Sequence, residues 1–320
     1  MLRFECELPR HTFSISVSMK IDSGSIYTLF GPSGAGKSSI LNVMAGFEQG
    51  SEKAFLSVDE RVLLDVGNGK SRNVPAYKRG IVLVEQGASL FPHLSVEENI
   101  RYGIGSTGMD PFLRDWIERF QLSSYLSRKP NQLSGGLIQR AVLVRAAAAR
   151  PRVLLLDEPL SALDSELSRT LMDALLEFRE NLGTTIIMVT HQLSQAQRIS
   201  DSIGVISKGR ILQEGTPHAL MSSPDSFEVA RLLGFTHRLK DGHGREFALH
   251  PNQVLVGKHP DLGVVITGTV HRKFPRDGFQ RVVILVDDSD DIIEVDLPLF
   301  QDPAMNEEFS VTLPNPIYVE

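Results

Sequence analysis

At 320 residues, 42% hydrophobic and 22% charged, the chain can bury a large core and has room for one large domain with a smaller companion. Its 33 basic and 39 acidic residues leave a net charge of −6, so no overall basic field advertises nucleic acid or anionic lipid. No apolar run approaches the roughly 20 residues that span a bilayer, and the lone Cys6 excludes an intramolecular disulfide. With no charged-then-apolar leader at Met1, the expected setting is reducing and cytoplasmic.

The first 19 residues alternate, with Leu2, Phe4, Cys6 and Leu8 followed by Phe13, Ile15, Val17 and Met19, which predicts strands of an antiparallel sheet. Between them, His11 and Phe13 are candidates for stacking on a base, or equally a turn residue and a core residue. An apolar run from Ser25 to Phe30 then enters Gly31, Pro32, Ser33, Gly34, Ala35, Gly36, Lys37 and Ser38, and Ser39 to Ala45 reads as a helix. Strand, glycine loop and helix in that order make a P-loop. Its backbone N–H groups and the positive helix end face an anion, Lys37 reaches the outer phosphates, and the Ser38 hydroxyl suits Mg²⁺. The chain therefore binds a nucleotide.

Residues Ser57 to Val66 read as a short strand region, and Gly67 to Lys70 as a turn. Arg79 to Gln86 is a buried-type strand ending in a polar pair, and Gly87 to Leu94 is a loop before the capping box Ser95-Val-Glu-Glu98. Apolar spacing from Asp110 to Tyr125 is helical and puts Trp116 in the core. Asn131 to Gly136 leads into a long helix expected over Leu137 to Arg150. The Ser134, Gly135, Gly136 cluster is a second helix start, which serves either as an anion site or as a plain N-cap.

Arg152 to Pro159 is an apolar strand ending in Asp157 and Glu158, at the carboxyl edge where α/β proteins bind ligands. This is the Walker B pattern: Asp157 for the Mg²⁺ shell, Glu158 as general base toward water. Ser161 to Asp164 caps a helix over Ser165 to Glu180, and the strand Thr184 to Thr190 delivers His191 to the same edge, where it can hydrogen-bond a phosphate.

Taken together, Gly31 to Ser38, the Gln86 loop, Leu133-Ser-Gly-Gly136, Asp157 with Glu158, Ser161-Ala-Leu-Asp164 and His191 resemble the ATP-binding subunit of an ABC transporter over about the first 235 residues. The resemblance implies ATP and Mg²⁺ as cofactors. It implies cofactor-binding roles for Ser39, Ser134, Gly135, Gly136, Asp164 and His11, and a role for Gln86 at both metal and water. It also implies a homodimer sandwiching two ATP molecules, membrane permease subunits that reach a solute-binding protein, no nucleic-acid partner, and a peripheral place on the cytoplasmic face of the inner membrane. One departure is Leu137-Ile138 ahead of Gln139-Arg140, where the family has polar residues, which would remove a polar side chain near the nucleotide. Ser39 for Thr and Gln192 for Asp are milder departures.

Leu232 to His237 and Phe247 to Gly257 resemble the linker and first strand of the small β domain of importers of molybdate, sulfate, ferric iron, polyamines or sugars. Short alternating runs at Val264 to Val270, Arg281 to Val286 and Ile292 to Leu297, broken by Gly, Pro and Asp, read as a small OB-like β-barrel. That domain serves either a regulatory ligand or as a dimer brace. Met1 to His11 and the Phe91 to Gly103 stretch lean toward the molybdate, oxyanion or iron group. The expected fold is α/β: a P-loop core with an N-terminal antiparallel β subdomain and a helical insertion over about 87–150. Residues 1–235 form the ATP-binding domain and 236–320 the all-β domain. The alternative function is a soluble ABC-type ATPase acting on nucleic acid or ribosomes, which would call for two cassettes, a coiled-coil insertion or a basic surface.

Overall fold

The computed structural model describes residues 1–10, 12–48, 53–67, 69–104, 108–161, 163–241, 243–276, 278–287, 289, 291–314 and 316–318. The chain divides into two compact units, Met1–Pro217 and His218–Glu320. The domain expectation placed its boundary later, at 235.

In the first unit, β1 (Leu2–Pro9) and β2 (Ser14–Ile21) bury alternate residues, as a sheet with one wet face must. They pair antiparallel and continue through β4 (Lys53–Val58), β5 (Arg61–Gly67) and β6 (Lys70–Asn73), in the order β2-β1-β4-β5-β6. The single strand region expected over Ser57 to Val66 is instead a hairpin. Asp59 and Glu60 both take positive φ, 46° and 69°, and their two-residue turn folds the run back on itself.

The second sheet runs β11-β10-β3-β9-β8-β7. Here β3 (Ile26–Phe30), β7 (Ile81–Val84), β8 (Val153–Asp157), β9 (Thr185–Thr190) and β10 (Ser202–Ser207) are parallel, and β11 (Arg210–Gly215) closes the edge antiparallel. Strands β3, β8 and β9 are buried at every residue because both faces are covered. Leu154, Leu156, Ile186 and Met188 join the core under the helical insertion, whereas Val153, Leu155, Ile187 and Val189 join the core shared with β1, β2 and helix α1 (Lys37–Ala45).

The insertion contains α2 (Val96–Ile104), α3 (Pro111–Arg119) and α4 (Gly135–Ala148). Trp116 lies in its core at 1% exposure, within an aromatic group that includes Phe112, Phe120 and Phe178. Helices α5 (Ser165–Leu182) and α6 (Leu193–Ile199) complete the unit.

The second unit begins within the short helix α7 (Pro217–Ser222) and continues through α8 (Phe227–Leu232) into strands. β12 (His237–Lys240), β13 (Glu246–Leu249) and β19 (Ile317–Tyr318) form one sheet. β14 (Leu255–Val256), β15 (Gly263–Arg276), β16 (Phe279–Val286), β17 (Ile292–Pro298) and β18 (Glu308–Pro314) form the other, in the order β14-β18-β15-β16-β17. The two sheets share one apolar core, with Leu239, Phe247 and Leu249 packed among Ile266, Ile284 and Val295. Within this unit Arg281 forks onto Asp296 at 2.6 and 2.7 Å and reaches Glu294 at 2.8 Å, a bidentate pair that fixes β16 against β17.

The helix behind the glycine loop is anchored by Arg79, which is only 3% exposed. Its guanidinium donates to the Val43 and Met44 carbonyls at 2.8 and 2.7 Å, capping the end of α1, and to Val74 O and Asn73 Oδ1 at 2.8 and 2.7 Å. Arg79→Met keeps most of the packing but leaves these acceptors without their donor. We expect it to lower the unfolding free energy of the first unit by about 3 kcal/mol in urea titration; a loss below about 1 kcal/mol would show that Arg79 is not the anchor.

Candidate active site

The order β3-β9-β8-β7 explains why distant residues meet. Phe30 pairs with Thr190, Asp157 with Val189, and Val84 with Leu156, so the carboxyl ends of four neighbouring strands lie side by side. The glycine loop leaves β3, Gln86 follows β7, Asp157 ends β8, and His191 follows β9.

The loop itself is shaped by close approach. A Cβ on Gly31 would lie 2.1 Å from the Ile206 carbonyl oxygen, and Gly36, at φ 97°, would press one to 2.9 Å from Ile15 Cδ1. Side chains at these two positions would push the loop off the sheet and turn its N–H groups away. Lys37 is 5% exposed, and its ammonium donates to Gly31 O and Pro32 O at 2.9 Å each. Burial lowers the Lys37 pKa, while Glu158 and Asp157 act in the opposite direction. Asp157 is pushed up by burial, against the Ser38 hydroxyl that hydrogen-bonds its carboxylate; Glu158 adds to the rise and Lys37 opposes it.

Glu158 occupies the left-handed region at φ 47°, unusual for a residue with a side chain. Its N–H bonds Val189 O at 3.0 Å, and its carbonyl accepts from the Ser161 N–H and hydroxyl at 3.2 and 2.9 Å. The reversal turns the carboxylate toward Gln86 Nε2 at 3.1 Å and His191 Nδ1 at 2.9 Å. Ser33, Gly34, Gly36, Lys37, Ser38 and Ser39 share a cleft of about 440 Å³ with Gln86, Asp157 and Glu158.

Other residues stand apart. Ser134 is the N-cap of α4, accepting from Leu137 N–H at 3.4 Å, with Gly135 and Gly136 in the first turn. Asp164 is the N-cap of α5, accepting from Leu167 N–H at 2.9 Å. None of these lines the cleft. His11 and Ala162 lie outside the described residues. Leu137 is 9% exposed and, with Ile138, packs on the core under the insertion, so the departure from polar residues serves packing there. Sequence reading missed Arg10 and Thr12, which line the cleft beside Phe13. Their one signal was position, in the turn between two strands that end beside the glycine loop.

The donor set fits Mg²⁺ and a polyphosphate. A hydroxyl paired with one buried carboxylate suits a hard cation that keeps much of its coordination on water and phosphate oxygens. When bound, Mg²⁺ neutralises developing charge on the phosphoryl oxygens. Because burial raises the Asp157 pKa, ionising it costs folding free energy at neutral pH, a cost that disappears as pH falls below the unfolded-state value. Asp157→Asn should therefore raise the thermal midpoint of the nucleotide-free protein while removing most of the further rise given by Mg-ATP. A lower midpoint without nucleotide, or a full Mg-ATP response, would contradict this account.

The sequence profile of the ABC transporter family matches residues 15–161. A spermidine/putrescine import ATP-binding protein of Bacillus cereus is 39% identical over 245 residues, covering 75% of this chain and 72% of the relative. A sulfate/thiosulfate import ATP-binding protein of Agrobacterium fabrum is 33% identical over 322 residues, covering 93% and 92%. Among solved structures, a dimeric ATP-binding cassette in a post-hydrolysis state with ADP and Pi is 26% identical with a TM-score of 0.58, covering 68% of this chain and 99% of that one. The chain is thus an ATPase that uses ATP and Mg²⁺, and it belongs to the ATP-binding subunits of the ABC transporter family.

Proposed function

We propose that this chain is the energy subunit of an importer, peripheral on the cytoplasmic face of the inner membrane, working as a homodimer on permease subunits fed by a solute-binding protein. The observation that carries the reading is the likeness to a sulfate/thiosulfate import ATP-binding protein over 93% of the chain. The surface supports it as well. An apolar groove of about 660 Å³ runs beside the Gln86 loop and the insertion, lined by Ala88, Phe91, Val142 and the exposed rings of Phe47, Tyr77 and Tyr102, which are 67%, 82% and 70% accessible. Such a patch suits a docked partner, and among the described residues no helix is long and apolar enough to cross a membrane.

For the solute we infer an oxyanion. The sequence expectation is molybdate, another oxyanion or ferric iron; the sulfate/thiosulfate relative supports the oxyanion reading, whereas the spermidine/putrescine relative favours a polyamine. Residues 1–235 would be the ATP-binding domain and 236–320 a TOBE-like β domain. In the site, the glycine loop and Lys37 would hold the phosphates, with Ser38, Gln86 and Asp157 on the metal side. Glu158 would take a proton from the attacking water, with His191 on the transferring phosphate. Ser134 and the Gly136 N–H would complete the site of the other copy, while Asp164 and Ser39 act nearby. Closure on ATP would be the power stroke and hydrolysis the reset.

Two substitutions test these roles. Glu158→Gln keeps shape and removes the base, so ATP binding should persist while turnover with the permease falls by about 10² to 10⁴. Lys37→Ala should weaken ATP binding by about 1.5 to 3 kcal/mol in titration calorimetry. Wild-type turnover in the first or wild-type affinity in the second would remove that residue from the site.

A further inference from the structure

We propose that Gln195 is a positioning residue for ATP hydrolysis, holding the turn that carries His191 through a closed ring of hydrogen bonds with Thr190 and Gln192. The inference rests on the reading of His191 given above. The Thr190 hydroxyl donates to Gln195 Oε1 at 2.8 Å, Gln195 Nε2 donates to Gln192 Oε1 at 2.9 Å, and the Gln192 N–H donates to Thr190 Oγ1 at 3.0 Å. Each member gives one bond and receives one, and the ring spans His191 in the sequence.

The two sides of this turn differ in rigidity. Thr190 ends a fully buried strand and is itself 2% exposed. His191 has a side chain 46% exposed, so packing leaves its imidazole room to swing, and its Nδ1 reaches the Glu158 carboxylate at 2.9 Å. Only His191 and Gln192 separate the end of β9 from the start of α6. The ring ties the first turn of that helix back to the buried strand end, which fixes the backbone on both sides of His191. A displacement on the order of 1 Å at such a group is enough to cost a large factor in rate.

A plain helix cap explains less. Gln192 is at the N-cap position of α6, yet its side chain bonds no helix N–H, and its amide oxygen accepts from Gln195 instead. The ring is also built from neutral groups, so it adds no charge next to the Glu158 carboxylate and does not titrate.

The test is steady-state ATP hydrolysis by the full chain, with thermal midpoints measured alongside. Gln195→Leu should lower kcat by about tenfold with KM for ATP within about twofold, the pattern of a group felt in the transition state alone. Thr190→Val, which opens the ring from the buried side at nearly constant volume, should show the same split. Gln195→Glu keeps the acceptor for the Thr190 hydroxyl and, with the Gln192 amide turned so that its Nε2 donates to the new carboxylate, recloses the ring, so it should recover most of kcat. In a His191→Ala background, Gln195→Leu should change kcat no further. Wild-type kcat in Gln195→Leu and Thr190→Val with lowered midpoints would reduce the ring to a helix anchor and overturn the proposal. Equal kcat losses with and without His191 would overturn it too. Wild-type kcat in His191→Ala alone would instead bring down the reading of the site on which the proposal stands.

Discussion

The constraint on which the molecule depends is that the central strands are buried on both faces. Strands β3 and β9 carry no charged side chain and β8 carries one, Asp157, at its carboxyl end, so charged groups gather at the carboxyl ends rather than on the covered faces. There the sheet order makes one edge from residues far apart in sequence: Lys37 behind β3, Asp157 and Glu158 at β8, His191 after β9 and Gln86 after β7. The burial that organises the edge also shifts its groups, lowering the Lys37 pKa and raising that of Asp157; Glu158 and Asp157 oppose the first shift, and the Ser38 hydroxyl and Lys37 oppose the second.

The edge is held from two directions. Below it, Arg79 satisfies the last carbonyls of α1 and fixes the helix that begins at Lys37. Beside it, Glu158 is bent into the left-handed region and kept there by Val189 and Ser161, which aims its carboxylate at Gln86 and His191. Strain concentrated at a carboxylate of this kind is a common companion of function. The loop that borders the apolar groove begins beside Gln86, the residue bonded to that carboxylate, so a partner docked there, as proposed, would have a physical route to it.

Much of this was legible in the sequence. Fully apolar strands, a glycine loop before a helix and two carboxylates at a strand end are local patterns, and the structure sets them where those patterns imply. The hairpin at Asp59-Glu60 was missed because neither residue is glycine, so nothing announced a left-handed turn. Arg10 and Thr12 reach the cleft from a turn, and the Arg79 anchor and the ring around His191 join side chains to distant carbonyls or to one another. Such bonds leave no periodicity to read. Leu137 is buried in the core under the insertion and Ile138 packs partly buried against it, because a side chain's facing on a helix is decided by what packs there.

On the proposed reading one chain would hold only half of each working site: the cleft at its sheet edge, with the helix start at Ser134, which lies outside that cleft, serving the other copy. A mixed dimer tests this directly, one copy carrying Lys37→Ala and the other Ser134→Arg, with the bound ATP counted per dimer. Both lesions then fall in one composite site, and the account predicts that one ATP is still held. Placing both changes in a single copy beside a wild-type one damages both sites and should abolish tight binding. Identical stoichiometry in the two arrangements would contradict the shared site.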